Sequence, residues 1–96
     1  MIRHFASKVA QDIFDGRISR QARKIDINLH VKIVRLFDQI NAVTTIEMLA
    51  IPPSNHLKKL RGNLQEYWSL RINRQWRIIF RFEKGDAFDV DIVDYH

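Results

Sequence analysis

The apolar residues of this chain change their spacing once, at Ile51-Pro52-Pro53-Ser54-Asn55, and that change restricts the fold more than any other feature. Ahead of it the period is helical. Leu29, Ile33, Leu36, Phe37 and Ile40 form one stripe with Lys32, Arg35, Asp38 and Gln39 turned away, behind Asp26 as N-cap. Phe5, Val9, Ile13 and Phe14 predict a shorter helix from Ser7, its N-cap, to Asp15, with Gly16 as the stop. Thr44 or Thr45 is expected to cap one more turn through Leu49, and the paired prolines must then leave the helix. After the prolines the period is 2. Trp68, Leu70 and Ile72 alternate with Tyr67, Ser69 and Arg71, and Trp76, Ile78, Phe80 and Phe82 alternate with Arg77, Ile79 and Arg81.

Short connections join these strands into a meander. Asn73-Arg74-Gln75 closes one antiparallel hairpin, and Lys84-Gly85-Asp86 turns a second that returns through Phe88, Val90 and Ile92. Ile2 to Phe5 reads as a brief first strand, and Leu57 to Arg61, before Gly62, as a strand at the other side. The predicted fold class is α+β: N-terminal helices on an antiparallel sheet, residues 1–96 forming a single domain. Trp68 and Trp76 fall on the helix-covered face, where a core role is favoured over base stacking.

Several chemistries are excluded by what the chain lacks. Without cysteine there is no disulfide, thiolate zinc site or cysteine nucleophile. His4, His30, His56 and His96 are scattered and make no helical metal pair, so neither metal nor cofactor is expected. The three glycines form no phosphate loop. No apolar run approaches a membrane span and the first residues show no signal-peptide pattern, so a cytoplasmic location away from membranes is expected.

Charge points toward a polyanion. Residues 1–82 hold 15 Lys and Arg against 6 Asp and Glu, a local +9, whereas residues 83–96 hold one lysine against five carboxylates, a local −4. Lys58, Lys59, Arg61, Arg71, Arg74, Arg77 and Arg81 crowd around the strands, opposed there only by Glu66. Two readings compete for Arg71, Arg77 and Arg81 on the non-core face: a row of guanidiniums gripping phosphates, or a ladder of ion pairs with Asp89 and Asp91. Val90 and Ile92 carry the alternation up to Asp94-Tyr95-His96, so a carboxylate, a phenol and an imidazole are expected to be held in place.

Gln75-Trp76-Arg77-Ile78-Ile79-Phe80, Leu60-Arg61-Gly62, Tyr67-Trp68-Ser69-Leu70-Arg71 and Asp94-Tyr95-His96, with Met1-Ile2-Arg3-His4-Phe5 and Phe14-Asp15-Gly16, resemble the plasmid-maintenance killer family. These are the HigB-like toxins of the RelE/ParE superfamily. The resemblance implies N-terminal helices on a curved antiparallel sheet and a type II toxin that cuts messenger RNA in the ribosomal A site without metal. It implies as partners a HigA-like helix-turn-helix antitoxin, through which alone operator DNA is bound, and the ribosome with its A-site message. By position, Arg77 would hold the scissile phosphate, and Arg61 stands where many relatives carry lysine. Asp94, Tyr95 and His96 match the catalytic tail. Some relatives place a histidine where Lys58 stands, and His56 is displaced from it by two residues.

Cleavage by 2′-OH attack needs a base for that hydroxyl, cations for the phosphorane and an acid for the leaving oxygen. His96 suits acid or base work near neutral pH; Asp94 either orients it or is itself the base. Arg61, permanently charged, has an electrostatic role, and Tyr95 stacks on a base or donates a hydrogen bond. Arg17, Arg20, Arg23, Lys24, Lys58, Lys59, Arg71 and Arg74 are expected to meet RNA phosphates. Two other readings stand beside this one. A toxin of the same superfamily can block a protein such as DNA gyrase without nuclease activity, and a basic binding module would need neither Arg77 nor the Asp94-Tyr95-His96 end.

Overall fold

In the computed structural model, which describes residues 1–95, the change of period marks the boundary between two layers. The helical layer holds α1 (Lys8–Phe14) and α2 (His30–Ala42). The Ser7 hydroxyl accepts from the Ala10 N–H and caps α1, and it also donates to Asp91, tying the helix start to the last strand. Asp26 caps a 3₁₀ turn, Ile27–Leu29, instead of α2 itself, which begins at His30. Ile33, Leu36, Phe37 and Ile40 are buried as the stripe predicts. The turn after Thr45 is also 3₁₀, Ile46–Ala50, and has no side-chain cap.

The sheet is antiparallel and ordered β1 (Lys58–Lys59), β2 (Tyr67–Arg71), β3 (Trp76–Glu83), β4 (Asp86–Asp94). Helices on one face of such a meander meet the α+β expectation. Phe37 from the helices and Leu70, Ile78, Phe80 and Val90 from the sheet are fully buried together. Phe5, Phe14 and Phe37 pack as a tilted and edge-on trio with centroids 5.1 to 6.0 Å apart. Truncating a ring such as Phe37 or Phe80 would cost about 3–5 kcal/mol. Two predicted strands are reduced. Ile2 and Phe5 make only isolated parallel bridges to Ala87 and Val90, and the strand expected over Leu57 to Arg61 is the two-residue β1.

A more consequential difference lies in β4. Phe88, Val90 and Ile92 look like one inward-facing row, yet Phe88 sits on the outer face under Arg81. The turn at Lys84-Gly85, where both residues have positive φ, pairs Glu83 with Asp86 and Phe82 with Ala87. Continued unbroken, that register would turn Asp89 and Asp91 inward and Val90 and Ile92 out. A β-bulge at Asp89, with φ of 53°, absorbs one residue and restores Val90 and Ile92 to the core.

Candidate active site

Register assigns the side chains of the outer face. Lys58 is opposite Ser69, Ser69 opposite Ile79, Arg71 opposite Arg77, and Arg77 opposite Val93, so these share the face away from the helices. Arg77 is only 9% exposed although it is charged. Its Nε donates to the buried Ser69 hydroxyl at 2.9 Å and its Nη2 to the His56 carbonyl at 2.7 Å. Among the described residues no carboxylate lies within ion-pair distance of it.

The His56 carbonyl is aimed by local geometry. Pro53–Asn55 forms a 3₁₀ turn that His56 closes in the left-handed region, at φ 47°. Buried Asn55 fastens the turn by donating to the Leu49 carbonyl at 3.1 Å and to Gln39 at 3.0 Å. Sequence reasoning missed this part of the site. Ser69 was legible as the small polar residue opposite the core row, but the His56 contribution is a backbone atom and leaves no sequence signal.

Burial pushes the Arg77 guanidinium below its ordinary value; the facing Tyr95 opposes that shift and Arg71 adds to it by like-charge repulsion. The charge remains at neutral pH. The Tyr95 ring lies with its centroid 5.3 Å from the guanidinium carbon, and its hydroxyl accepts from Lys58 Nζ at 3.4 Å. Lys58, Lys59, Arg61, Leu64 and Tyr95 line a cleft of about 550 Å³. The outcome is a desolvated cation seated on neutral acceptors with an exposed phenol over it, a setting in which an incoming anion meets no competing carboxylate among the described residues.

The other predicted residues divide. Asp94 is not on this face: its partner across the sheet is Trp76, which places it on the opposite side from Arg77, where its carboxylate accepts from Gln75 at 3.1 Å. His96 lies outside the described residues. Lys59 also turns from Arg77's face and stacks 4.8 Å over the Trp68 ring. Arg17, Arg20, Arg23 and Lys24 are exposed on the connection from α1 to α2, and none lines a cleft beside Arg77. The ion-pair ladder is realised by Arg81, whose Nε donates to Asp89 at 2.8 Å, while Asp91 instead accepts from Ser7. Among the described residues no three His, Asp or Glu side chains converge as a metal cluster, and no helix is long and apolar enough to cross a membrane.

Comparison with known proteins now bears on this geometry. Residues 3–96 match the family described as RelE-like toxin of the type II toxin-antitoxin system HigB. The chain belongs to the HigB-like toxin family. This toxin is 28% identical to the endoribonuclease HigB of Proteus vulgaris, with 100% of each chain covered. It is also 28% identical to toxin HigB-1 of Vibrio cholerae over 93% of this chain and 92% of that one. A 64-residue match to an uncharacterised protein of Haemophilus influenzae, 36% identical, spans 67% of the toxin and 63% of that protein. Its fold is shared with the YoeB dimer of Staphylococcus aureus, TM-score 0.61 at 21% identity over 99% and 97% of the two chains. The YafQ structure from E. coli gives TM-score 0.58 at 18% identity, over 98% of this chain and 91% of that one.

Proposed function

We propose that this toxin is a metal-independent endoribonuclease that cuts messenger RNA on the ribosome and so inhibits translation in the cytoplasm. The observation that carries the reading is Arg77: buried, charged, and bonded to a hydroxyl and a carbonyl in place of a carboxylate. Its remaining N–H donors suit the scissile phosphate. The full-length likeness to a relative named as an endoribonuclease supports the same activity, and does not favour a protein target such as gyrase.

In the proposed reaction the 2′-oxygen attacks the adjacent phosphorus while its proton passes to a base. The bond to the 5′-oxygen breaks and that oxygen takes a proton, leaving a 2′,3′-cyclic phosphate and a 5′-hydroxyl. Arg77 and Arg61 offset charge on the phosphorane, and Tyr95 stacks on a base beside it. His96 is the acid/base group. Asp94, across the sheet from Arg77, acts as a positioning residue for that imidazole. The partner is an acidic HigA-like helix-turn-helix antitoxin, which carries the complex to operator DNA.

The test uses purified toxin on programmed ribosomes, with 5′ ends of the message mapped. Cleavage that falls about 10²- to 10³-fold in Arg77→Ala is the expected result. Full activity in both Arg77→Ala and His96→Ala would overturn the assignment, and toxicity that survives His96→Ala and comes with DNA damage would point to gyrase.

A further inference from the structure

A second basic cleft, of about 310 Å³, includes two neighbours of Arg77: His56, whose carbonyl accepts from its guanidinium, and Arg71, its cross-strand partner. Lys32, Ser54, His56, Arg71, Asn73 and Arg74 line it, with no carboxylate among the described residues of its walls. It shares His56 with the catalytic region, since the His56 carbonyl grips Arg77 while the residue itself forms the cleft wall. Arg71 is the cross-strand neighbour of Arg77 and lowers its affinity for a proton, so the two guanidiniums sense each other. The three cations come from three elements: α2, β2 and the turn between β2 and β3.

Local bonds hold this group in place. Lys32 reaches across from α2 and donates to the Ile72 carbonyl, and Arg71 Nε donates to the Asn73 carbonyl at 3.2 Å. The turn itself is fixed by Asn73, whose side chain accepts from the N–H groups of Gln75 and Trp76 at 2.9 and 2.8 Å. Neither cation is neutralised by these bonds, because both acceptors are backbone carbonyls. Three like charges gathered with no acid among the described lining residues repel one another, and an anion between them removes that repulsion.

From this we infer that the Lys32–Arg71–Arg74 cleft is a subsite for one backbone phosphate of the RNA strand, next to the phosphate held at Arg77. The inference rests on the nuclease reading and extends it. The strand runs from the Tyr95 and Arg61 cleft over Arg77 into the Lys32 cleft, and the nucleotide there is held by its phosphate, so its base is not read. The cleft serves binding and not the chemical step.

The experiment titrates a fluorescent ten-nucleotide single-stranded RNA into the full chain by anisotropy, from 50 to 200 mM salt, and measures cleavage on programmed ribosomes. In R71Q/R74Q the salt slope of log K should fall by about 0.7, the share of one phosphate on a single strand, for RNAs of every sequence tried. On ribosomes KM should rise with kcat held. An unchanged slope, a loss that depends on the base, or a fall in kcat at constant KM would each overturn the subsite. Unchanged RNA affinity together with lost binding of a polyglutamate peptide would assign the cleft to an acidic protein segment and overturn it too. Thermal unfolding of R71Q/R74Q matching the parent excludes misfolding, and K32Q supplies a second variant, carrying the same expectation, should that double change unfold. Failure of the nuclease reading shows separately, as full cleavage by both R77A and H96A.

Discussion

Arg77 and Arg81 lie four residues apart on one strand and project from the same face, yet their surroundings are opposite. Arg81 donates to Asp89 at 2.8 Å and pairs with Glu83 at 3.3 Å, and the Asp89 bond holds its guanidinium above its ordinary value. Arg77 has a hydroxyl, a carbonyl and an aromatic ring, and burial pushes it the other way. One arginine has its charge paired inside the fold; for the other, no carboxylate among the described residues lies within ion-pair distance. The residue type is identical, so the partner set is the diagnostic feature.

The sharpest way to break this contrast is to exchange the consequences of losing each side chain. Arg77→Ala should lower cleavage on programmed ribosomes by about 10²- to 10³-fold, and Arg81→Gln should leave it within about twofold, because the Arg81 charge is already paired with Asp89 and Glu83. Equal losses in the two variants would erase the distinction. Ser69→Ala tests the seat of Arg77 at smaller scale. Nε loses its buried acceptor, so unfolding in urea should show a cost of about 1–3 kcal/mol, and cleavage should fall about tenfold with kcat affected more than KM.

The mildest test is acid titration of the Arg81 end. The hydrogen bond from Arg81 comes first among the causes that hold the Asp89 carboxyl below its ordinary 3.8, with His4 adding to it and burial opposing both. A carboxylate depressed on folding contributes stability that is complete above the unfolded value and drains away as pH falls through the folded one. The urea midpoint should therefore drop below about pH 4, and Arg81→Gln should flatten that part of the curve. Among the described residues Arg77 meets no such carboxylate, and Arg77→Gln should leave the acid limb unchanged.

Much of the scaffold was legible because one-face burial writes itself into spacing. The stripe Ile33, Leu36, Phe37 and Ile40, the rows Leu70, Ile72 and Ile78, Phe80, and the Lys84-Gly85 turn all follow from period and turn chemistry. Phase was less legible. Phe88-Asp89-Val90 is a flawless alternation on paper, but a hairpin turn fixes register independently of it, and only the bulge reconciles the two. Asp94, two residues past Ile92, keeps that residue's side of the sheet and so falls away from Arg77's face, as the alternation itself implies. That Arg77 projects from the outer face was legible from the alternation, its role was implied by the resemblance alone, and what distinguishes its surroundings from those of Arg81 was not legible. A backbone carbonyl at His56, a buried hydroxyl at Ser69 and the choice of Asp89 for Arg81 are matters of three-dimensional proximity.

The bulge at Asp89 also makes β4 a strand whose length is counted in parity. Five positions separate Val90 from Tyr95, and that odd interval delivers the phenol to Arg77's face while Val90 stays in the core. Removing one residue between Val90 and Tyr95 would force a choice between burying Val90 and keeping Tyr95 over the guanidinium. Changes in length after the bulge are compatible with both only in steps of two, so this stretch of the chain should tolerate the loss of a residue pair better than the loss of one.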